Sequence, residues 1–381
     1  MPQKKKNPGP SQPKEKRPPL THFLCLPLVN SISLPQFESS FAAFKDAIPP
    51  TRPDQTAPWQ EPRPLIPHGA VRPIGTLHLT LGVMSLASQE RLDGAIRFLQ
   101  SLDLVSLMRE AESIARSCTK GKPTSPLVQA GQQDEPAPDP FTISLESLHA
   151  LPRARSATVL HAAPVDSTSR LYPFCEILRD KFAEAGFLKI EYKKDPPPEP
   201  TTYTQASTTI PEDTAQPIPR SGTTAPPNKP KHRPLLLHAT VVNTIYIKGR
   251  SRGGGASGSH RKNQYSFDAR DMLTHFRDYY VDSARTMPRS PAIAVPADDS
   301  DSSEDRSEKE YSFPDNSASS ENPFIWAKGF PLESVCICEM GAKKLEPEAA
   351  DEDGLNARLQ EKYRVVATRR LDFQPLCIPP V

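Results

Sequence analysis

Two apolar runs with the same histidine–threonine pattern limit the fold of this chain more than any other feature. The first run, TLHLTLGVM at residues 76–84, alternates apolar and polar residues as a half-buried strand does. Successive side chains of a strand point to opposite faces, so His78 and Thr80 share a face. The pattern predicts a core face of Leu77, Leu79, Leu81 and Val83, and an opposite face of Thr76, His78, Thr80 and Gly82.

The second run, LLLHATVVNT at residues 235–244, repeats this arrangement 160 residues further along the chain. Here His238 and Thr240 share a face, and apolar residues again supply the other face. A single histidine in a strand is usually a buried residue with a satisfied hydrogen bond. Two matching triplets in corresponding positions of two halves are a stronger pattern. They predict two strands that lie side by side and present both histidines to one space.

The composition shows that the whole chain cannot form one compact core. Proline accounts for 45 of 381 residues, and hydrophobic residues make up only 36%. This balance is typical of chains that contain long linkers or disordered tracts. We predict a disordered basic tail at residues 1–18 and low-complexity inserts at 119–139, 194–232, 249–263 and 284–322.

Between the inserts, the sequence predicts an α+β domain over residues 19–375. Each half offers a strand, a helix, a histidine strand or its partner, and another helix. This rhythm predicts a duplicated, two-lobed fold around a central groove, with lobe one at about 20–195 and lobe two at about 233–373. The predicted elements are a strand at 21–29, a helix at 34–48, one long helix from about Ser88 to Ser117, a hairpin of 141–151 and 156–165, helices at 167–187 and 267–281, and strands at 332–340 and 363–373.

The two triplets together suit the in-line cleavage of a phosphodiester. This reaction needs a base on one side of phosphorus and an acid on the other, and histidine can serve as either near neutral pH. A hydroxyl two residues along the strand can donate a hydrogen bond to a phosphate oxygen. The sequence contains no HExxH motif and no GxxxxGK[ST] loop, and we expect no metal or other cofactor. His149 and His161 lack a hydroxyl two residues further on, which favours a structural role for both.

Four segments extend the triplets into a family resemblance: THFLCLPL, LHLTLGVMSL, LHATVVNT and SFDAR. Paired H-x-[ST] strands are the signature of the 2H phosphoesterase superfamily, and the four segments together resemble its A-kinase-anchor-protein-type, 2′,5′ RNA ligase-like domain. They look most like the form in the first subunit of the activating signal cointegrator complex. The resemblance implies that His78 and His238 are the catalytic acid and base, and that Thr80 and Thr240 bind phosphate. It also implies RNA-type substrates, with 2′,5′ linkages or 2′,3′-cyclic phosphates.

The resemblance leaves two functions open. The first is a metal-independent phosphodiesterase acting on RNA or oligonucleotides. The second is a non-catalytic RNA- or phosphate-binding subunit of a transcription coactivator or DNA alkylation repair complex. A third interpretation, a proline-rich scaffold, predicts that the inserts bind the partners. The coactivator subunit has a KH domain ahead of this region, whereas here a short basic segment without a GXXG loop precedes it. The proline-bound QPLCIPPV argues against a kinase-anchoring helix at the end of this sequence.

Charge and cysteine content bear on location. The net charge of +2 gives no global attraction to nucleic acid, but the first 17 residues carry a cluster of basic side chains. If this cluster is a localisation patch, it predicts a protein of the nucleus, or of both nucleus and cytoplasm. Otherwise the cluster is a solvated tail. The six cysteines form no CxxC pair and are expected to be reduced thiols. No apolar run is long enough to cross a membrane, so no membrane partner is expected.

Two weaker features remain open. GGGASG at residues 253–258, which has basic neighbours, is either a flexible loop or a contact for a nucleic-acid backbone. Phe23 and Tyr246, which lie near the motif strands, either stack a base or pack in the core.

Overall fold

The computed structural model describes residues 18–50, 64–119, 138–188, 234–247, 265–278, 322–346, 351 and 354–373. These residues form an α+β fold built on one eight-stranded sheet. The basic tail, GGGASG and nearly all of the predicted inserts lie outside the described residues.

The sheet is antiparallel and curls into a half-barrel, with the strand order β10-β7-β1-β2-β5-β4-β3-β6. A separate pair, β8 and β9, lies beside it. The strands are β1 His22–Pro27, β2 His78–Met84, β3 Thr142–Leu151, β4 Val159–Val165, β5 Ala239–Asn243, β6 Ile325–Pro331, β7 Ser334–Glu339, β8 Lys343–Lys344, β9 Glu361–Lys362 and β10 Val365–Arg370.

The two predicted histidine strands, β2 and β5, are neighbours at the centre of the sheet. Three strands follow outward on each side, so the sheet divides into two halves of four strands. Each half takes strands from both ranges that the sequence assigns to the lobes. The halves of the sheet are therefore not consecutive segments of the chain.

The longer helices cover one face of the sheet, which we call the helix face. Phenylalanines at helical spacing in α1 are buried there, and the ring of Phe41 lies 5.4 Å from that of Trp326 in β6. The opposite face carries His78 and His238, and we call it the site face. The helices are α1 Leu34–Asp46, α2 Gln89–Ser101, α3 Leu104–Thr119, α4 Leu171–Glu184, α5 Arg270–Leu273 and α6 Leu355–Leu359. Among the described residues, no helix is long and apolar enough to span a membrane.

The single long helix predicted from Ser88 to Ser117 is wrong, because the structure has two helices there. Leu102 is extended (φ −65°, ψ 133°) and ends α2. Asp103 then caps α3: its carboxylate accepts hydrogen bonds from the backbone N–H and the hydroxyl of Ser106, at 3.1 and 2.6 Å. A side chain that caps the first turn competes with a continuous helix, and apolar periodicity alone does not reveal this break.

Most of the other predicted elements are present. The hairpin of β3 and β4 is confirmed, as is the helix predicted at 167–187, which is the slightly shorter α4. Asp166 caps α4 by accepting hydrogen bonds from the backbone N–H groups of Arg170 and Leu171, both at 2.8 Å. The helix predicted at 267–281 is shorter in the described residues, where α5 is followed by a π-helical turn, Thr274–Asp278.

Candidate functional site

The register of β2 against β5 brings the two triplets together. Leu79 lies opposite Ala239, and both are buried in the helix-face core. Continuing this antiparallel register places His78 opposite Thr240, and Thr80 opposite His238. Each histidine therefore faces the threonine of the other strand, and all four side chains belong to the site face. This is the shared space that the alternation predicts.

Both histidines are oriented by the same backbone contact. Nδ1 of His78 lies 2.7 Å from the carbonyl oxygen of Thr76, and Nδ1 of His238 lies 3.0 Å from that of Leu236. In each case the carbonyl belongs to the residue two positions earlier. A proton on Nδ1 is donated to this oxygen, so Nε2 becomes the nitrogen available to a ligand. The Tyr172 hydroxyl in α4 also holds the chain before His238, since it donates to the carbonyl oxygen of Leu235 at 2.7 Å.

Burial keeps both imidazoles neutral. Loss of solvation lowers the pKa of His78 to about 4, and the positive charges of Arg72 and of protonated His238 add to this effect. Burial also lowers the pKa of His238. Near neutral pH, both rings are therefore uncharged bases in the free protein.

The predicted face assignment in β2 is correct only as far as Leu81. The pairing of β1 with β2 shifts between Leu24 and Cys25, because β2 has one residue more than β1 at this point. This β-bulge reverses the alternation. Val83, expected in the core, is 39% exposed, and Gly82 lies opposite the core residue Leu24.

The room left by Gly82 is filled from the helix-face side. A Cβ atom on Gly82 would come within 2.8 Å of the Leu188 side chain. Thr76 also departs from the prediction. It belongs to a 3-10 turn, Ile74–Thr76, rather than to the strand, and its hydroxyl donates to the carbonyl oxygen of Pro73 at 2.7 Å.

Two further histidines lie on the site face, although the sequence favours a structural role for them. His149 in β3 lies opposite His161 in β4, and His161 lies opposite Thr240. The ring centroids of His161 and His238 are 5.0 Å apart, and those of His149 and His161 are 5.5 Å apart. His161 is 6% exposed, its Nδ1 has no hydrogen-bond partner, and burial lowers its pKa to about 3.

A bulge in β3 directs His149 to the site face. The pairing of β3 with β4 shifts between Glu146 and His149, and Ser147 has a φ of +57° at this point. Trp326 holds the bulge, since its Nε1–H donates to the carbonyl oxygen of Ser147 at 2.8 Å. A second shift, between Leu160 and His161, leaves Val241 as an extra residue in β5. Bulges often re-aim side chains next to functional sites.

On the other side of the centre, aromatic rings surround His78. The Phe23 and Tyr363 ring centroids lie 4.9 and 5.2 Å from that of His78, and 4.9 Å from each other. Tyr363 follows β9 and was not singled out from the sequence, because nothing local marks it. Phe23 is buried among these rings and a group of thiols, Cys25, Cys336 and Cys338. The side chain of Tyr246 lies outside the described residues.

Gly75 allows the Tyr363 segment to approach His78. A Cβ atom on Gly75 would overlap the carbonyl oxygen of Glu361 and would come within 2.9 Å of the Cβ of Leu359. The turn before β2 and the segment leading to Tyr363 are therefore in direct backbone contact.

Arg72 completes this side of the site. Its side chain is 6% exposed, and one Nη2–H points to the hydroxyl oxygen of Tyr363, 3.4 Å away. A buried guanidinium thus lies close to the imidazole of His78. Within the described residues, no group of three or more His, Cys, Asp or Glu side chains has an arrangement that could hold a metal ion.

Comparison with known proteins identifies the family. No curated protein matches the chain significantly. The family model of the AKAP7 2'5' RNA ligase-like domain matches residues 20–287, which include both histidine strands and more than two thirds of the chain. The chain therefore belongs to the AKAP7 2'5' RNA ligase-like family of the 2H phosphoesterase superfamily.

Proposed function

We propose that this protein is a metal-independent phosphodiesterase of RNA-type substrates, with His78 and His238 as its acid–base pair. The observation that carries the proposal is the matched tethering of the two imidazoles on adjacent strands. Each Nδ1 is held by the carbonyl two residues earlier, at 2.7 and 3.0 Å, so each Nε2 is available. An in-line displacement at phosphorus requires an oriented base on one side of the phosphate and an oriented acid on the other, and two tethered imidazoles on neighbouring strands can supply both.

In the proposed reaction, one imidazole Nε2 accepts a proton from the attacking water or ribose hydroxyl. The new oxygen–phosphorus bond forms as the bond to the leaving oxygen breaks. The second imidazole, protonated when the anionic substrate binds, donates its proton to that leaving oxygen. A bound phosphate favours this protonation because a nearby negative charge raises the pKa of an imidazole. For a 2′,3′-cyclic phosphate, water attacks and a ribose oxygen leaves.

Thr80 and Thr240 would hold the phosphate between the rings. Because each threonine lies across from the histidine of the other strand, their hydroxyls flank the space between the two imidazoles. A hydroxyl can donate one hydrogen bond to a non-bridging oxygen, whose negative charge strengthens that bond.

The test is turnover of 2′,5′-linked and 3′,5′-linked oligonucleotides and of 2′,3′-cyclic nucleotides, all in EDTA. We expect cleavage of a 2′,5′ linkage or a 2′,3′-cyclic phosphate by the wild type. His78→Ala and His238→Ala should each slow it by about 10²–10⁴-fold. His275→Ala removes an exposed histidine from the π-helical turn and serves as the matched control, which should keep wild-type activity.

A requirement for a metal, or a rate close to that of the wild type in either active-site variant, would contradict the proposed mechanism. The first outcome would remove the claim of metal independence. The second would remove that histidine from the chemistry.

One observation favours a second candidate, a recognition module without turnover. Burial lowers the pKa of both site histidines, and a general acid must be protonated. A site that binds phosphate by neutral imidazoles and hydroxyls, as part of a coactivator or repair assembly, would need no such proton. Tight RNA binding by the wild type, with no cleavage of any substrate between pH 5 and 8, would favour this candidate.

Nuclear localisation is a further proposal, supported by the basic residues Lys4, Lys5 and Lys6 near the start of the sequence. A fluorescent fusion should accumulate in the nucleus. Replacement of the three lysines by alanine should make it uniform in the cell, and an unchanged distribution would contradict the assignment.

A further inference from the structure

We infer that Arg72 is a third catalytic residue of this site, which binds a non-bridging oxygen of the scissile phosphate from the His78 side. The inference rests on the proposed phosphodiesterase function and adds to it. It also makes the two histidines unequal, with His78 as the base and His238 as the acid.

The backbone places Arg72 at the site. Val71 pairs with Val242 of β5, and the Arg72 N–H donates to the carbonyl oxygen of Val241 at 2.8 Å. Val71 is buried in the helix-face core. In an extended segment the next side chain points the other way, which directs Arg72 to the site face. Its position is therefore set by β5, the strand that begins directly after His238.

The side chain of Arg72 ends beside His78. Its Nη2 lies 3.4 Å from the hydroxyl oxygen of Tyr363, whose ring centroid is 5.2 Å from that of His78. Tyr363 thus bridges the guanidinium and the imidazole. The charge of Arg72 is also close enough to disfavour protonation of His78.

A buried guanidinium is well suited to stabilise a phosphoryl transition state. At 6% exposure it is largely shielded from water, so its attraction for a phosphate oxygen is stronger than that of a surface arginine. The negative charge on the non-bridging oxygens increases as the nucleophile attacks. A fixed cation beside them stabilises that state more than the ground state.

The charged and titratable groups around the two imidazoles differ. His78 faces Arg72, Tyr363 and His238, whereas His238 faces His161 and His78. A cation next to His78 favours the neutral ring that a base needs. The ring next to His238 is an imidazole that is itself neutral, so His238 is the better candidate for the proton donor.

The test uses Arg72→Gln and Arg72→Lys in the full chain, with a 2′,3′-cyclic nucleotide as substrate. We expect Arg72→Gln to lower kcat/KM by about 10²–10³-fold, the usual effect of losing one transition-state donor. Arg72→Lys keeps the charge but cannot form two parallel hydrogen bonds, and should lose about tenfold. Binding of adenosine 2′-monophosphate should weaken in both variants.

Two readouts separate a catalytic role from a structural one. Sulphur in place of one non-bridging oxygen should slow the wild type for one diastereomer, and Arg72→Gln should lose this stereospecific effect. Removal of the cation should also shift the acid limb of the kcat/KM profile to higher pH, because that limb reports the base. A shift of the alkaline limb instead would overturn the assignment of His78 as the base.

Arg170→Gln is the matched control. Arg170 is also largely buried, at 9% exposure. Its guanidinium forms an ion pair with Glu112, with a distance of 2.6 Å between the two groups, and this pair does not belong to the two triplets. This variant should lose stability and keep wild-type activity per folded molecule.

The possible outcomes separate the role inferred for Arg72 from the proposed phosphodiesterase function. If the wild type cleaves and folded Arg72→Gln matches it in rate, nucleotide binding and thio effect, the inference is overturned and the phosphodiesterase stands. If Arg72→Gln does not fold, wild-type values for Arg72→Lys overturn it equally. If the wild type neither cleaves nor binds nucleotides, the proposed function itself fails.

Discussion

The His78 side and the His238 side of the candidate site have the same backbone arrangement but different neighbouring residues. His78 and His238 have the same triplet, the same tether to a carbonyl two residues earlier, and adjacent strands. On the His78 side lie Arg72, Phe23 and Tyr363. On the His238 side lie His161 and His149.

In the proposed mechanism, this difference lets a repeated backbone support two tasks. The tether that the repeat provides orients each imidazole in the same way, so it cannot decide which one gives a proton and which one takes it. The neighbours can decide it, because a cation and an imidazole act differently on the charge of an adjacent ring. The repeat builds the pair, and the residues outside the repeat distinguish its members.

The largest expected effect comes from removing either member of the pair. His78→Ala and His238→Ala should each lower kcat by about 10²–10⁴-fold, the usual contribution of a positioned acid or base. The double variant should be little slower than either single one, because the two groups act in one step. Independent, multiplying losses in single-turnover assays would show that the halves do not work as a unit.

The free energy of unfolding should depend on pH through a buried histidine on each side of the site, His78 and His161. Folding lowers the pKa of His78 to about 4 and that of His161 to about 3, whereas an unfolded histidine titrates near 6.5. Below pH 6.5 the unfolded chain therefore binds more protons, and stability falls as pH falls. Between pH 7 and pH 4, each group should contribute a loss of up to about 3 kcal/mol.

Denaturation curves of the wild type, His78→Phe and His161→Phe would measure this dependence. Each substitution removes one titrating ring and should flatten the curve between pH 6.5 and pH 4. If the stability of His161→Phe depends on pH as steeply as that of the wild type, burial does not keep the His161 ring neutral.

A substitution at Gly75 should affect only the His78 side of the site, where this glycine lies against the segment that leads to Tyr363. Gly75→Ala should cost about 1–3 kcal/mol, the usual cost of overpacking, because its Cβ would overlap the backbone of Glu361. The displaced segment carries Tyr363, so activity should fall as well. Gly69→Ala is the control in the same region, since a Cβ there meets nothing within 4 Å. Equal melting temperatures for the two variants would exclude this contact.

The smallest effect is expected at the threonines. Thr80→Val and Thr240→Val each remove one hydroxyl at nearly constant volume and should lower kcat/KM about tenfold, as for one lost hydrogen bond to a charged group. Serine at either position should restore most of the rate. If only one valine variant is impaired, the phosphate is held from one strand, and the symmetry of the two triplets does not extend to binding.

The alternation of apolar and polar residues was sufficient to predict that His78 and His238 lie on one face of the sheet. The alternation in β2 and β5 predicts which side chains share a face with His78 and His238, because a regular strand has a period of two. The prediction fails where bulges add a residue, as at Val83. Nothing in the local sequence marks those bulges, since they depend on the partner strand.

The surroundings of the pair could not be predicted for a related reason. Tyr363 lies 285 positions after His78, and contact between them depends on the close approach of Glu361 to Gly75. Arg72 precedes β2 by a few residues, but only its pairing with β5 shows which way it points. His149 lies on the site face because of the register shift in β3, and its contact with His161 depends on the pairing of β3 with β4.

The order of strands has a consequence for synthesis on the ribosome. β1 lies between β2 and β7, and β3 lies between β4 and β6. The partners β6 and β7 begin only at Ile325 and Ser334. The edges of β1 and β3 in the emerging chain therefore stay open until these late strands are made, and such edges pair readily with other chains. A fragment that ends with the family match at residue 287 would keep both edges open permanently, and we expect it to aggregate.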